Sequence, residues 1–152
     1  MALKPTRITV YGGDSVAYFM NEVAERGKVV TYAGSSTGSL GNLDDPSSTV
    51  MVPTGTVGAP VGVLMNDVVN LDLTRTHINA HKDEVQLGGK VAVLKIGTIS
   101  TNQLKSGDTP VAGNPAHFTT DGEFTTTATS TKVGTFGSAP DTDGYVVVDV
   151  RL

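Results

Sequence analysis

The sequence predicts a mainly β fold, a small β-barrel or sandwich with one short N-terminal α-helix. The prediction rests on abundant β-branched residues, on short segments that alternate polar and apolar side chains, and on glycine-containing turns between them. The 152 residues include 21 valines, 21 threonines and 18 glycines. Valine and threonine lose rotamer freedom in a helix and suit a pleated sheet. A barrel or sandwich hides the edges of many short strands.

The N-terminal part of the chain contains the predicted helix between two predicted strands. Residues 7–11 alternate polar and apolar side chains, which is typical of a half-buried strand. Residues 28–33 predict a second strand, and a loop rich in glycine, serine and aspartate follows over residues 34–48. From Asp14 to Arg26, apolar residues at i, i+3, i+4 and i+7 predict an amphipathic helix. These residues are Val16, Phe19, Met20 and Val23.

The rest of the chain predicts short strands separated by tight turns. The pairs Gly88-Gly89, Asp121-Gly122 and Asp143-Gly144 can supply the positive φ angle of a hairpin turn. The valines at 146–148 are apolar on both faces, so the last strand is predicted to be central or covered by a partner. The predicted strands are residues 49–52, 61–65, 68–73, 90–96, 123–127 and 145–150.

The length predicts a single domain over residues 1–152. Its two parts differ in character. Residues 1–66 are predicted to form an N-terminal β/α part with a long loop. Residues 67–152 are predicted to form a C-terminal, barrel-like part.

Charge and apolar patterning argue against two classes of partner. The formal net charge is −4, and the 11 basic residues are scattered among 15 acidic ones, so the stripe that neutralises phosphates is missing and we expect no nucleic acid. The longest uncharged stretch, residues 46–66, contains three prolines, so we expect no membrane span. Residues 1–7 are not followed by the apolar run of a signal peptide, so we expect synthesis in the cytoplasm.

Enzymatic chemistry finds little support in the sequence. Cysteine is absent, which excludes thiolate nucleophiles and thiolate metal sites. His77 and His81 have the i, i+4 spacing of a metal pair, with Asp83 and Glu84 close behind, but no glutamate follows the first histidine as it does in metalloproteases. We therefore expect no catalytic residue, no metal and no cofactor, with His77 and His81 as the candidates should a metal bind.

The few aromatic residues concentrate near the N-terminal part. Aromatic side chains make up 5% of the chain and tryptophan is absent, so the usual stacking surface for sugars is poorly supplied. Buried aromatic clusters are more common than binding surfaces. We therefore predict a small core around Tyr11, Tyr18, Phe19 and Tyr32.

Two parts of the sequence carry a family resemblance. One runs from Gly62-Val63-Leu64-Met65-Asn66-Asp67 through residues 77–84 to Gly88-Gly89-Lys90-Val91. The other combines residues 112–116, Thr120-Asp121-Gly122, residues 133–136 and Asp143-Gly144-Tyr145. Over about Val61 to Leu152 the chain resembles the capsid decoration (cement) proteins of tailed bacteriophages and the small β-barrel modules of phage head proteins.

The resemblance implies a non-enzymatic structural protein of the virion. Such a protein sits on the outside of the expanded capsid, cements neighbouring major capsid proteins and associates with itself as a trimer or dimer. The resemblance assigns no contact residues. A polar segment between strands is well placed to meet a partner, so we expect contacts with the capsid or a second subunit at Arg75, His77, His81 and Lys82.

Three other functions stay open. A tail-tube or head-completion protein belongs to the same structural class but occurs in few copies per virion or along the tail. A carbohydrate-binding adhesion module fits the Thr- and Gly-rich β character, although the shortage of aromatic residues opposes it. A metal-dependent hydrolase would use His77 and His81.

Overall fold

The computed structural model describes residues 9–10, 15–33, 49–55, 58–67, 84–85 and 87–152. Its described residues form thirteen β-strands and no helix, which confirms the predicted mainly β class. They therefore include no helix that could cross a membrane. The strands are β1 (Thr9–Val10), β2 (Ser15–Met20), β3 (Ala24–Glu25), β4 (Val29–Tyr32), β5 (Thr49–Met51), β6 (Pro60–Asp67), β7 (Glu84–Val85), β8 (Lys90–Leu94), β9 (Ile96–Thr101), β10 (Pro115–Phe118), β11 (Phe124–Thr125), β12 (Gly134–Phe136) and β13 (Val146–Arg151).

Five strands close into a barrel in the order β2-β5-β4-β6-β8. Only β2 and β5 run parallel, and every other hydrogen-bonded pair in the barrel is antiparallel. Closure leaves no free sheet edge. Every strand contributes buried apolar side chains to the barrel core, which includes Tyr18, Met20, Val30, Val50, Val61, Leu64, Val91 and Val93.

A register shift in β6 lets one strand serve two cores. Val30 pairs with Gly62, whereas Thr31 pairs with Pro60, so the alternation of faces is interrupted between them. Val61 therefore packs in the barrel core while Val63 packs against the second sheet. Gly62 lies at this irregularity, where an added Cβ would overlap the carbonyl oxygen of Leu94.

Six strands form a half-barrel in the order β1-β9-β13-β12-β10-β11. The last strand, β13, lies in its middle and pairs with β9 over six residues and with β12 over three. The predicted central position of the final strand is confirmed. The buried side chains of the half-barrel include Ile99, Phe118, Phe124, Phe136, Val146, Val148 and Val150.

The barrel and the half-barrel are connected by a continuous stretch of backbone and by a shared buried core. β8 belongs to the barrel and β9 to the half-barrel, with Lys95 as the single residue between them. Val29, Val63 and Leu94 of the barrel lie in the same buried cluster as the half-barrel phenylalanines. The barrel thus takes strands from both sides of residue 66. A third, two-stranded ribbon pairs β3 with β7.

The helix predicted over Asp14 to Arg26 is corrected, because its described residues, 15–26, contain strands β2 and β3 and no helix. The same stretch also fits a period of two, because Tyr18 and Met20 are buried on either side of the half-buried Phe19. β2 pairs with β8 over five consecutive residues. The helical spacing of apolar residues extends over only two turns. The hydrogen bonds and packing of the barrel therefore outweigh the preference for a helix.

Other local predictions are confirmed. Strands occur within or overlapping the predicted ranges 28–33, 49–52, 61–65, 90–96, 123–127 and 145–150. The predicted turn glycines Gly88, Gly122 and Gly144 have φ angles of 74°, 72° and 79°. The strand predicted at 68–73 and the loop predicted at 34–48 lie outside the described residues.

Candidate functional site

The predicted contact residues Arg75, His77, His81 and Lys82 all lie outside the described residues. Their role in contacts, and any metal binding by the two histidines, stay predictions. Within the described part of the chain, no group of three or more metal-ligating side chains occurs. Two surfaces of the described residues combine exposure with defined chemistry, an aromatic cluster and a polar cleft.

The aromatic cluster consists of Tyr18, Tyr32 and Lys95, and it is called the Tyr32 cluster below. Tyr18 comes from β2 and Tyr32 from β4. Their rings meet edge to face, with centroids 6.2 Å apart and planes inclined by 64°. Tyr18 is only 5% exposed, whereas Tyr32 is 51% exposed. Tyr18 therefore provides a buried support for an aromatic ring that faces solvent.

The two tyrosine hydroxyls also interact. A side-chain hydrogen bond with Tyr18 raises the pKa of Tyr32, and burial adds to this rise, while the nearby charge of Lys95 opposes it. The Tyr32 hydroxyl therefore stays neutral to a higher pH than a free tyrosine, and its ring packs edge to face on Tyr18.

Lys95 places a positive charge beside this aromatic pair. Its Nζ lies 5.7 Å from the centroid of the Tyr18 ring, within the range of a cation–π interaction. The Lys95 carbonyl accepts a hydrogen bond from the Leu152 backbone N–H at 3.1 Å. Leu152 is 38% exposed. Next to the junction of the two sheets, an exposed tyrosine ring and a cation thus lie in one neighbourhood.

The polar cleft lies between the β5–β6 connection and the β10–β11 hairpin, and it is called the hairpin cleft below. Its volume is about 710 Å³. Small-molecule sites usually occupy about 300–1,000 Å³, so the size is suitable for a ligand. The residues that line it are Gly55, Lys105, Thr119, Thr120, Asp121, Glu123 and Thr129.

Backbone hydrogen bonds hold the walls of the hairpin cleft. The Thr119 Oγ1 accepts from the backbone N–H of Asp121 at 3.2 Å and of Glu123 at 3.3 Å. The segment that carries Lys105 is joined to the same hairpin, because the backbone N–H of Lys105 donates to the Phe124 carbonyl at 2.8 Å. Hydrogen bonds therefore hold the backbone segments that carry Lys105, Asp121 and Glu123.

Asp108 ties the segment after β9 to the end of β11. Its Oδ2 accepts from the Thr125 hydroxyl at 2.5 Å and from the Thr126 backbone N–H at 2.9 Å. Burial alone would raise the pKa of Asp108. The hydrogen bonds and the charge of Lys105 outweigh it, so the pKa lies below its ordinary value of 3.8. This carboxylate stabilises the segment that carries Lys105.

Sequence patterns located these surfaces only in part. The predicted burial of Tyr18 is confirmed, whereas Tyr32, predicted as core, is half exposed; Tyr11 lies outside the described residues. Val29, Val30 and Thr31 are all buried, so the exposed end of β4 does not follow a simple alternation. The Asp121-Gly122 turn is the one sequence signal for the hairpin cleft, because Gly55, Lys105 and Thr129 come from segments outside this hairpin.

Comparison with protein-family models finds no match for this sequence, and no curated protein matches it. The fold is that of a β protein with a closed five-stranded barrel and a half-barrel. Function is therefore inferred from the two surfaces and from the sequence resemblance over about Val61 to Leu152.

Proposed function

We propose that this chain is a capsid decoration protein of a tailed bacteriophage. It binds the outside of the expanded capsid and cements neighbouring major capsid proteins. It is made in the host cytoplasm and acts in the virion, without catalytic activity, cofactor, nucleic acid or membrane. Its partners are the major capsid protein and further copies of itself, as a trimer or a dimer.

The observation that carries the proposal is the resemblance over about Val61 to Leu152. In the structure this stretch supplies β8, nearly all of β6 and every strand of the half-barrel except β1. Within the described residues, this stretch thus contributes most of the strands of one packed unit, and residues 68–83 and 86 lie outside the described part of the chain. The turn glycines Gly88, Gly122 and Gly144 of the resembling motifs each have a positive φ angle, so these motifs have a structural reason for their glycines.

The surface chemistry suits a protein that works through contact. Charged residues make up only 17% of the chain, against about 25% in average globular proteins. Fewer long charged side chains must then be immobilised at an interface, which lowers the entropic cost of binding. A contact of about 800 Å² per partner is enough for a specific interface, and many copies on one shell add their contributions.

The Tyr32 cluster is the proposed capsid contact among the described residues. Tyrosine is enriched at the energetic centres of interfaces, because its ring buries a large area with few rotatable bonds. Tyr32 is already supported by Tyr18, so little order is lost when a partner covers it. The proposed contacts at Arg75, His77, His81 and Lys82 add to this surface.

Co-sedimentation with purified capsids tests the proposal. We expect the protein to pellet with expanded, undecorated capsids of the matching phage and to saturate at a fixed ratio of many copies per shell. Tyr32→Ala should weaken binding at least about tenfold, as expected for a hot-spot residue. Val111→Ala is the matched control, because Val111 is 61% exposed and lies outside the Tyr32 cluster. Saturation at only a few copies would favour a head-completion protein, and no binding would refute the proposal.

A further inference from the structure

We propose that the hairpin cleft binds a neutral saccharide. The proposal goes beyond capsid binding and does not depend on it, since the cleft and the Tyr32 cluster share no residue. It identifies the ligand class from the balance of charges, donors and acceptors that line the cleft.

The charges of the cleft disfavour ionic ligands of either sign. Lys105 is opposed by Asp121 and Glu123, so the described residues of the lining carry one positive and two negative groups. The two carboxylates would repel an anion. The lysine ammonium would repel a polycation, and the single net negative charge would attract it only weakly. A neutral ligand meets no such repulsion.

The hydrogen-bonding groups of the cleft match hydroxyl groups. Carboxylates only accept hydrogen bonds and an ammonium only donates, whereas each sugar hydroxyl can do both. Asp121 and Glu123 can accept from a hydroxyl while Lys105 donates to a neighbouring one, and such charge-assisted bonds are stronger than neutral ones. Thr119 accepts two backbone N–H groups through Oγ1, which leaves its hydroxyl proton as a donor.

The hairpin that carries the two carboxylates is held in place before any ligand arrives. Gly122 lies between Asp121 and Glu123, and its carbonyl accepts a hydrogen bond from the backbone N–H of Val29 at 2.8 Å. The Gly122 N–H donates to the backbone carbonyl of Thr119 at 3.1 Å. A preorganised site loses less entropy on binding. No aromatic side chain occurs among the described lining residues. Because these residues offer no ring stacking, we expect affinity in the millimolar range, which corresponds to about −4 kcal/mol.

Titration of the full-length ¹⁵N-labelled protein, followed by amide chemical shifts, tests the proposal. The probes are chitotriose and maltotriose, with spermidine as the cation and inorganic phosphate as the anion. At about 20 mM, well above a millimolar Kd, at least one saccharide should shift the amides of Lys105, Thr120 and Glu123. If neither saccharide shifts them, or if only spermidine or phosphate does, the proposal is wrong.

A matched pair of variants separates side-chain recognition from turn structure. Asp121 and Asp143 each precede a glycine with positive φ in a tight turn. Asp121→Ala should weaken saccharide binding about tenfold, and Asp143→Ala should leave it unchanged. Amide spectra of both variants show whether each one is folded. If two folded variants bind the saccharide as tightly as the unaltered protein, the cleft is not the site.

Discussion

Gly122 of the half-barrel lies directly against Val29 of the barrel. The Val29 backbone N–H donates to the Gly122 carbonyl at 2.8 Å, and a Cβ added to Gly122 would lie 2.7 Å from the Val29 carbonyl oxygen. Gly122 also has a φ angle of 72°. This contact fixes the β10–β11 hairpin on the barrel, so it supports both the shared core and the hairpin cleft.

Replacing Gly122 by alanine should therefore be costly. A side chain at positive φ costs about 1–3 kcal/mol, and the overlap with Val29 adds to this cost. Gly144→Ala is the control, because Gly144 has a φ angle of 79° but no atom within 4 Å of an added Cβ. Urea unfolding should show a larger loss for Gly122→Ala than for Gly144→Ala by about 1 kcal/mol or more, as is typical of overpacking. If both variants lose the same free energy of unfolding, the contact between Gly122 and Val29 can move apart enough to admit a methyl group.

Asp108 should make stability depend on pH in the acid range. Its pKa is lower in the folded protein than its ordinary value of 3.8, so the ionised form favours folding. This contribution is complete above the unfolded pKa and is lost as pH falls through the folded pKa. Asp108→Asn should cost about 1 kcal/mol at pH 7, the usual net contribution of one hydrogen bond.

The loss caused by Asp108→Asn should shrink as pH falls below the ordinary pKa of the carboxyl group. Chemical unfolding of both proteins at pH 7 and at pH 3 measures this change. Asp143→Asn, at an exposed turn, is the control and should change stability little at either pH. If Asp108→Asn lowers the free energy of unfolding by the same amount at both pH values, the charge of Asp108 does not contribute to stability.

Amide exchange should distinguish two neighbours in β13. Val148 lies in register between Ile99 of β9 and Phe136 of β12, so its amide should exchange slowly. The Val147 N–H donates to the Ser138 hydroxyl at 3.1 Å, beyond the end of β12. Ser138→Ala should accelerate exchange at Val147 severalfold and leave Val148 nearly unchanged. Equal acceleration at both amides would instead indicate opening of the whole sheet.

Metal removal should leave the protein unaffected. We predict no bound zinc at His77 and His81, because the glutamate expected of a metalloprotease helix is missing. Elemental analysis of the purified protein should find far less than one zinc per chain, and EDTA should not change Tm. Stoichiometric zinc together with a lower Tm after EDTA would favour the metal-dependent hydrolase.

The sequence predicted the β class because threonine and valine are abundant and several segments are bounded by turn glycines. It failed at β2, where Val16, Phe19, Met20 and Val23 satisfy helical spacing. Only the partner strand β8, more than seventy residues away, decides between the two periods. Such non-local pairing is not visible in a window of one or two turns.

The candidate surfaces were harder to predict than the strands. Lys95 was placed inside one predicted strand, whereas the structure separates β8 from β9 there. The hairpin cleft combines Gly55, Lys105 and the β10–β11 turn, which only the docking of two sheets brings together. Strands β10 and β12 were missed because they are short and contain proline or glycine, which are depleted in strands.

A cryo-EM reconstruction of expanded, undecorated capsids mixed with saturating protein tests the central claim most directly. The proposed function predicts regular added density on the outer surface at symmetry-related positions, into which the barrel and half-barrel fit with Tyr32 at the contact with the major capsid protein. The Tyr32→Ala variant should give weaker density at the same positions. A bare outer surface on capsids of the matching phage would contradict the proposal.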